Sequence, residues 1–149
     1  DNATIMVDYQ GGAKGVYWSS QIAVGHDNDL GVRIYGSRGT IRWKQENPNY
    51  LQVIFKDKPA MTVSRGRDAL KDRAQSLVRI PSGHPEGYFE AFANIYKTFI
   101  DALIKKASGA KLTEADLDFP SPSAGADGVR FIEKCVESSK NDARWVEFK

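Results

Sequence analysis

Residues 81–109, PSGHPEGYFEAFANIYKTFIDALIKKASG, decide the fold class of this chain more than any other stretch. Apolar residues recur through it at spacings of three and four, which is the period of an amphipathic α-helix. Pro85 and Glu86 are typical of a first helical turn, and two lysines followed by a glycine are typical of a helix end. The stretch therefore predicts one long helix with one side that needs an apolar surface against it.

Residues 3–64 lack that period and predict consecutive β-strands. β-Branched and aromatic residues alternate there with clusters of Gly, Asn and Asp, and the short connections favour antiparallel neighbours. The run Gly36–Gly39 is typical of a hairpin turn. The expected strands cover residues 3–9, 16–24, 30–34, 40–43, 51–55 and 61–63.

Three shorter predictions complete the chain. Residues 68–75 are compatible with a short helix, and residues 144–148 have the composition of a last strand. A second long helix is expected from Pro122, with Ser121 as its N-cap. Its apolar side is expected to be buried and consists of Val129, Ile132, Cys135 and Val136. Strands first and helices late predict an α+β fold rather than a doubly wound one.

The apolar strand residues outnumber what two helices can cover. An exposed apolar sheet face commonly marks a surface for a partner. The residues concerned are Tyr9, Tyr17, Trp18, Ile22, Tyr35, Trp43 and Phe55.

Composition bounds the class of protein. The chain has 149 residues, 41% of them hydrophobic, and a net charge of +2. This length and composition predict one domain spanning residues 1–149, and the small, scattered charge argues against a nucleic-acid surface. No apolar run exceeds three residues, so no membrane span is expected. Because Cys135 is single, no internal disulfide is predicted, and the sequence does not demand an oxidising compartment. A cytoplasmic location is expected. Asp1 at the start suggests a piece of a longer protein.

The sequence contains no recognisable motif for a complete catalytic, cofactor or metal site. It has no glycine-rich dinucleotide or triphosphate loop, and one Cys with two His cannot assemble a zinc site from nitrogen and sulfur ligands alone. His26 lies in Gly25–Asp29, whose spacing differs from a calcium loop and favours a plain turn. We therefore predict no catalytic, cofactor-binding or metal-binding residue in this chain.

Two residues stand out as candidate ligand contacts. His84 precedes the long helix, where free backbone N–H groups and the positive end of the helix dipole attract polar or anionic groups. The alternative is that His84 only holds its own loop by hydrogen bonds. Gln21 is a polar residue in a predicted strand and is suited to bind a hydroxyl-rich molecule, or is simply an exposed strand residue.

The run RIPSGHPEGYFEAFANIY at residues 79–96 resembles a signature of the sugar and polyol dehydrogenases in the Gfo/Idh/MocA family. Three further segments resemble the C-terminal region of that family, namely residues 20–25, residues 34–41, and residues 127–133 together with Trp145-Val146. The resemblance covers essentially the whole chain. It implies the C-terminal domain of such an enzyme, built as an open-faced, mainly antiparallel sheet with helices on one face.

This resemblance carries functional implications. The parent protein would be an NAD(P)-dependent oxidoreductase acting on CH–OH groups of a sugar, sugar derivative or cyclitol. Its Rossmann domain, which binds the nicotinamide cofactor and carries the catalytic Lys, has no counterpart here, so this chain alone would be inactive. Among the residues of this chain, His84 would contact the substrate first, with Arg79, Tyr88 and Gln21 behind it. The free sheet face would form a homodimer or homotetramer.

Two other classes of function remain open from the sequence. One is a non-catalytic module whose sheet face binds another protein. The other is a free-standing carbohydrate-binding domain that uses the aromatic strand residues.

Overall fold

The structure is a computed structural model that describes residues 1–67 and 70–148. In this part of the chain the strands are β1 (Asn2–Asp8), β2 (Lys14–Ser20), β3 (Gly31–Gly36), β4 (Gly39–Lys44), β5 (Tyr50–Phe55) and β6 (Met61–Ser64). The helices are α1 (Asp72–Ser76), α2 (Tyr88–Ala107), the 3-10 helix Glu114–Leu117 and α3 (Pro122–Ser139). All strand pairs are antiparallel, which confirms the predicted α+β class.

The chain divides into two compact units, which we describe separately. The first contains Asp1–His26 and the residues from Pro120 onward, and the second contains Asp27–Phe119. That residues 1–149 act as one domain stays a prediction. Among the described residues, no helix combines the length and apolar content that crossing a membrane requires.

In the first unit, β1 and β2 form a hairpin. The pairing runs from Asn2 opposite Ser20 to Asp8 opposite Lys14. The prediction that this second strand reaches Val24 is wrong, because its ladder ends at Ser20. A strand persists only where a neighbouring backbone accepts and donates hydrogen bonds, and beyond Ser20 the last such bond is from Gln21 N to Asp1 O at 2.9 Å.

α3 confirms its predicted start but not its predicted burial. The Ser121 hydroxyl accepts a hydrogen bond from the amide of Ala124 at 3.1 Å, as an N-cap does. Cys135 is half-buried, and this burial raises the pKa of its thiol. Three residues predicted to be buried are instead exposed, namely Val129, Ile132 and Val136. Helical period identifies the apolar side of a helix, but burial depends on what packs against it.

Residues 144–148 do not form the predicted last strand. They follow α3 back along its own surface: Ser138 Oγ donates a hydrogen bond to Arg144 O at 2.7 Å. The guanidinium of Arg130 lies 6.0 Å from the Phe148 ring centroid. The composition of this segment suits a strand, but no described residue pairs with its backbone in a ladder.

The second unit contains a four-stranded antiparallel sheet in the order β3-β4-β5-β6. Gly36 pairs with Gly39, which confirms the predicted hairpin. The pairing places only apolar side chains and two glycines, Gly36 and Gly39, on one side of this sheet, and we call the apolar side chains the apolar sheet face. They are Val32, Ile34, Ile41, Trp43, Leu51, Val53, Phe55, Met61 and Val63.

This apolar sheet face is substantially exposed. Ile34 has 55% of its surface accessible, and Val32, Met61 and Phe55 are also exposed. Most members of the predicted aromatic set are exposed too, but they do not share one face. Tyr35 lies on the opposite side of β3 from Ile34, because successive residues of a strand point to opposite faces.

α2 confirms the long amphipathic helix but begins later than expected. Its first residue is Tyr88, so Pro85 lies before the helix and not in its first turn. The helix ends at Ala107, and Gly109 follows with a left-handed φ of +77°. Its contacts include the 3-10 helix, where Lys105 Nζ pairs with an Asp116 carboxylate oxygen at 2.6 Å. This lysine, with hydrogen bonds from Thr113, holds the pKa of Asp116 well below its usual range.

The predicted helix at residues 68–75 is present only in its later part. Asp68 and Ala69 lie outside the described residues, and α1 runs from Asp72 to Ser76.

Candidate functional site

The segment between α1 and α2, residues 77–87, carries two of the predicted ligand contacts, and we call it the connecting loop. Its centre is a tight turn in which His84 N donates to Pro81 O at 3.2 Å. Gly83 occupies the left-handed region within this turn, at φ +90°. That conformation strongly favours glycine, so the Gly83-His84 pair follows from the local geometry of the turn.

Arg65, the residue after β6, holds the connecting loop by its main-chain carbonyls. Its guanidinium donates to Ile80 O at 2.8 Å, to Pro81 O at 3.4 Å and to His84 O. The Arg65 side chain is only 17% exposed. The guanidinium is rigid and planar and has five N–H donors, so it can donate hydrogen bonds to several carbonyl oxygens at once.

Asn49 joins the same network from the turn before β5. Its Oδ1 accepts hydrogen bonds from Arg65 Nε at 2.8 Å and from Glu86 N at 3.0 Å. Its Nδ2 donates to Glu86 O at 2.9 Å. One side-chain amide thus satisfies both main-chain polar groups of Glu86.

Glu86 is the buried centre of the network, with 7% of its surface accessible. Its carboxylate forms an ion pair with Arg65 and accepts a hydrogen bond from Arg79 N at 2.9 Å. The sequence placed Glu86 in the first helical turn as a partner of the helix dipole, and this assignment is wrong. Removing one partner of a buried ion pair costs about 3–5 kcal/mol, because the other charge is left uncompensated.

Glu90 takes the place at the helix start that the sequence assigned to Glu86. Its carboxylate accepts a hydrogen bond from the amide of Gly87 at 2.8 Å. This hydrogen bond, helped by the charges of Arg79 and Arg65, lowers the pKa of Glu90 below its usual value.

The imidazole of His84 is exposed, and no hydrogen bond joins it to another residue within the described ranges. The main chain of His84 is held by Pro81 and Arg65, whereas its side chain is presented to the surroundings. The imidazole therefore does not hold the loop through a hydrogen bond to a described residue, and its contact with a ligand stays a prediction.

Arg79 is oriented by α2. Its Nε and Nη2 both donate to Asn94 Oδ1, at 3.0 and 2.8 Å. Asn94 in turn donates from Nδ2 to Leu77 O at 3.2 Å. The guanidinium is thus anchored along one edge. No hydrogen bond joins its Nη1 to a described residue, which suits a fixed donor for a hydroxyl group.

Tyr88 is the first residue of α2 and is 62% exposed. Its ring centroid lies 4.9 Å from that of Phe92 and 6.0 Å from that of Phe89. An aromatic ring with a polar hydroxyl tip, seated on a helix end, is suited to contact a polyol.

Gln21 differs from the other three predicted contacts. It lies in a bend just after β2, not within a strand, and it belongs to the first unit. The second unit contains the other three, namely Arg79, His84 and Tyr88. Among the described residues, no group of three or more His, Cys, Asp or Glu is arranged to hold a metal ion.

Sequence reasoning missed the residues that hold this site. Arg65 is part of Arg65-Gly66-Arg67, which has the composition of a solvated basic turn, and Asn49 occupies an ordinary turn. Asn49 and Glu86 are 37 residues apart. No local pattern signals such contacts.

Comparison with known proteins adds to this geometry. Residues 1–148 match the family profile described as oxidoreductase family, C-terminal alpha/beta domain (Gfo/Idh/MocA). The chain is 37% identical over its whole length to an uncharacterized oxidoreductase, YfiI, of Bacillus subtilis and covers 38% of that protein. It therefore spans well under half the length of this relative.

Two solved structures are similar across the chain. An oxidoreductase from Pseudomonas syringae superposes with a TM-score of 0.89 at 38% identity, covering 100% of this chain and 41% of that one. An inositol dehydrogenase homologue from Azotobacter vinelandii, solved with NADH and myo-inositol, gives a TM-score of 0.88 at 35% identity, covering 99% of this chain and 39% of that one. The predicted resemblance is confirmed: this chain belongs to the C-terminal domain family of the Gfo/Idh/MocA oxidoreductases.

Proposed function

We propose that this chain is the substrate-binding and oligomerisation domain of an NAD(P)-dependent dehydrogenase that acts on a CH–OH group of a sugar, sugar derivative or cyclitol. The observation that carries this proposal is the exposed imidazole of His84 on a loop whose main chain is fixed by Arg65, Asn49 and Glu86. The relative solved with NADH and myo-inositol supports the cofactor and the substrate class.

His84, Arg79 and Tyr88 are proposed to bind and orient the substrate. A neutral imidazole offers one donor and one acceptor, which matches the two roles of a hydroxyl group. Arg79 supplies a donor whose direction Asn94 sets. Gln21 is proposed as a further contact in the full-length protein.

The nicotinamide would supply the hydride chemistry. The sequence has no glycine-rich dinucleotide loop, so we assign cofactor binding and the catalytic residues to the rest of the full-length protein. The 149-residue chain alone is accordingly proposed to be inactive. The full-length protein is proposed to be cytoplasmic.

The experiment is steady-state kinetics of the full-length protein with inositols and common sugars. H84A is expected to raise KM for the polyol or lower kcat, while KM for the cofactor stays unchanged. H26A is the matched control, because His26 is the other histidine and lies in the first unit. Wild-type kinetics in H84A would refute the assignment of His84.

We assign the oligomer contact to the apolar sheet face. Ile34 and Tyr35 provide a matched pair, because they are neighbours on β3, are 55% and 66% exposed and point to opposite faces. The full-length protein is expected to be a homodimer or homotetramer by light scattering, I34D is expected to dissociate it, and Y35D is expected to leave it intact. A monomeric wild type, or dissociation by Y35D alone, would contradict this assignment.

A further inference from the structure

We infer that Arg65 and Glu86 are positioning residues for substrate binding: together they hold the connecting loop so that His84 and Arg79 keep one fixed orientation. This inference rests on the proposed function for its consequence in catalysis. We call the hold of Arg65 and Glu86 on the connecting loop the clamp, and it rests only on contacts within the second unit.

Arg65 acts on the loop from one side. Its guanidinium contacts the carbonyls of Ile80, Pro81 and His84, so it spans the whole turn that presents the imidazole. Pro81 O also accepts a hydrogen bond from His84 N, so it keeps one donor without Arg65. The carbonyls of Ile80 and His84 would then need water or another donor, and the turn would lose the one side chain that contacts all three carbonyls.

Glu86 acts from the other side. Its carboxylate contacts both the guanidinium of Arg65 and the amide of Arg79, while the Asn49 side chain is hydrogen-bonded to both main-chain polar groups of Glu86. The carboxylate therefore links the side chain that holds the turn to the backbone of the second predicted contact. Loss of this charge would release both ends of the connecting loop together.

Gly66 shows that the approach of the two segments is close. A Cβ atom at this position would lie 3.0 Å from Ser82 N and 3.3 Å from Ser82 Cα. The turn after β6 thus packs against the backbone of the connecting loop. Arg65 lies in this turn, and its side chain contacts the loop carbonyls described above. Side-chain hydrogen bonds and main-chain packing point to the same contact.

The test uses R65K and E86Q in the full-length protein. Lysine keeps the positive charge but cannot place donors on three carbonyls and Asn49 at once. Glutamine keeps an oxygen for the amide of Arg79 and removes the negative charge. R67K is the control, since Arg67 is the neighbouring arginine and donates only to Ser64 Oγ among the described residues, at 3.2 Å.

Two readouts separate the clamp from the proposed function. Hydrogen exchange is expected to accelerate far more in residues 78–87 of R65K and E86Q than in the strands β3–β5, and to stay unchanged throughout R67K. In kinetics, KM for the polyol is expected to rise about 10- to 100-fold with an unchanged KM for the cofactor, since misplacement of a binding group by about 1 Å has effects of this size.

Unchanged exchange in residues 78–87 would overturn the clamp. Faster exchange spread evenly over the sheet would also overturn it, because that result marks general destabilisation. A locally loosened loop with wild-type polyol KM in an active enzyme would overturn the positioning role. If the wild-type protein turns over no polyol, the proposed function fails and the exchange data alone decide the clamp.

Discussion

Replacement of Gly66 by alanine tests how closely the connecting loop is held. Gly66 and Gly109 have nearly the same left-handed φ, +74° and +77°. An alanine therefore meets the same backbone strain at both positions, about 1–2 kcal/mol. The two sites differ in their surroundings, which makes G109A a matched control for G66A.

The surroundings of the two glycines give the expected difference in destabilisation between G66A and G109A. At Gly66 the added Cβ would lie 3.0 Å from the backbone nitrogen of Ser82, whereas at Gly109 nothing lies within 4 Å. Because the neighbour is main chain and cannot rotate away, the connecting loop must move. Forcing an extra carbon into a packed contact costs about 1–3 kcal/mol, so G66A should destabilise the loop by about that much more than G109A.

The assay is hydrogen exchange of the full-length protein, with three amides as reporters. Arg79 N–H bonds to Glu86, His84 N–H to Pro81, and Glu86 N–H to Asn49. A local opening free energy lower by about 1–3 kcal/mol corresponds to exchange about 5- to 150-fold faster, at tenfold per 1.4 kcal/mol. Equal exchange of these amides in G66A and G109A would refute the close approach.

Two further predictions concern the helix starts. S121A should accelerate exchange of the Ala124 amide and destabilise α3 by about 1 kcal/mol, while S123A, which keeps the capping hydroxyl, should change less. The pKa of Glu90 is lowered from 4.5 in the folded protein by the Gly87 amide, so its contribution to α2 is complete above about pH 4.5 and is lost as the pH falls through the folded pKa. Protection factors in the first turn of α2 should therefore fall on acidification, and E90Q should remove this dependence; a pH profile shared by E90Q and wild type would contradict the assignment.

Much of the fold follows from patterns that neighbours in sequence create. The 3.6-residue period predicted α2, Ser121-Pro122 predicted the start of α3, and the Gly36–Gly39 turn predicted its hairpin. These signals are local: a helix turn, a cap and a two-residue turn each involve residues within a few positions of one another. That turn then sets which residue of β3 pairs with which residue of β4.

The errors arise where the outcome depends on distant partners. Residues 144–148 have strand composition but lie along α3, because a strand also needs a neighbouring backbone. Gln21 falls just beyond β2 for the same reason. The period of α3 indicates an apolar side, but the prediction that this side is buried is wrong for Val129, Ile132 and Val136, since burial depends on the surface that packs against a helix.

The sequence by itself determined the α+β class and the family, because these depend on patterns in contiguous runs, and it predicted His84 as a ligand contact. Only the tertiary structure decided what holds that residue. Arg65 and His84 are 19 residues apart, and Asn49 and Glu86 are 37 apart. Chain folding brings them together around a buried carboxylate, and a buried charge persists only where several distant groups satisfy it at once.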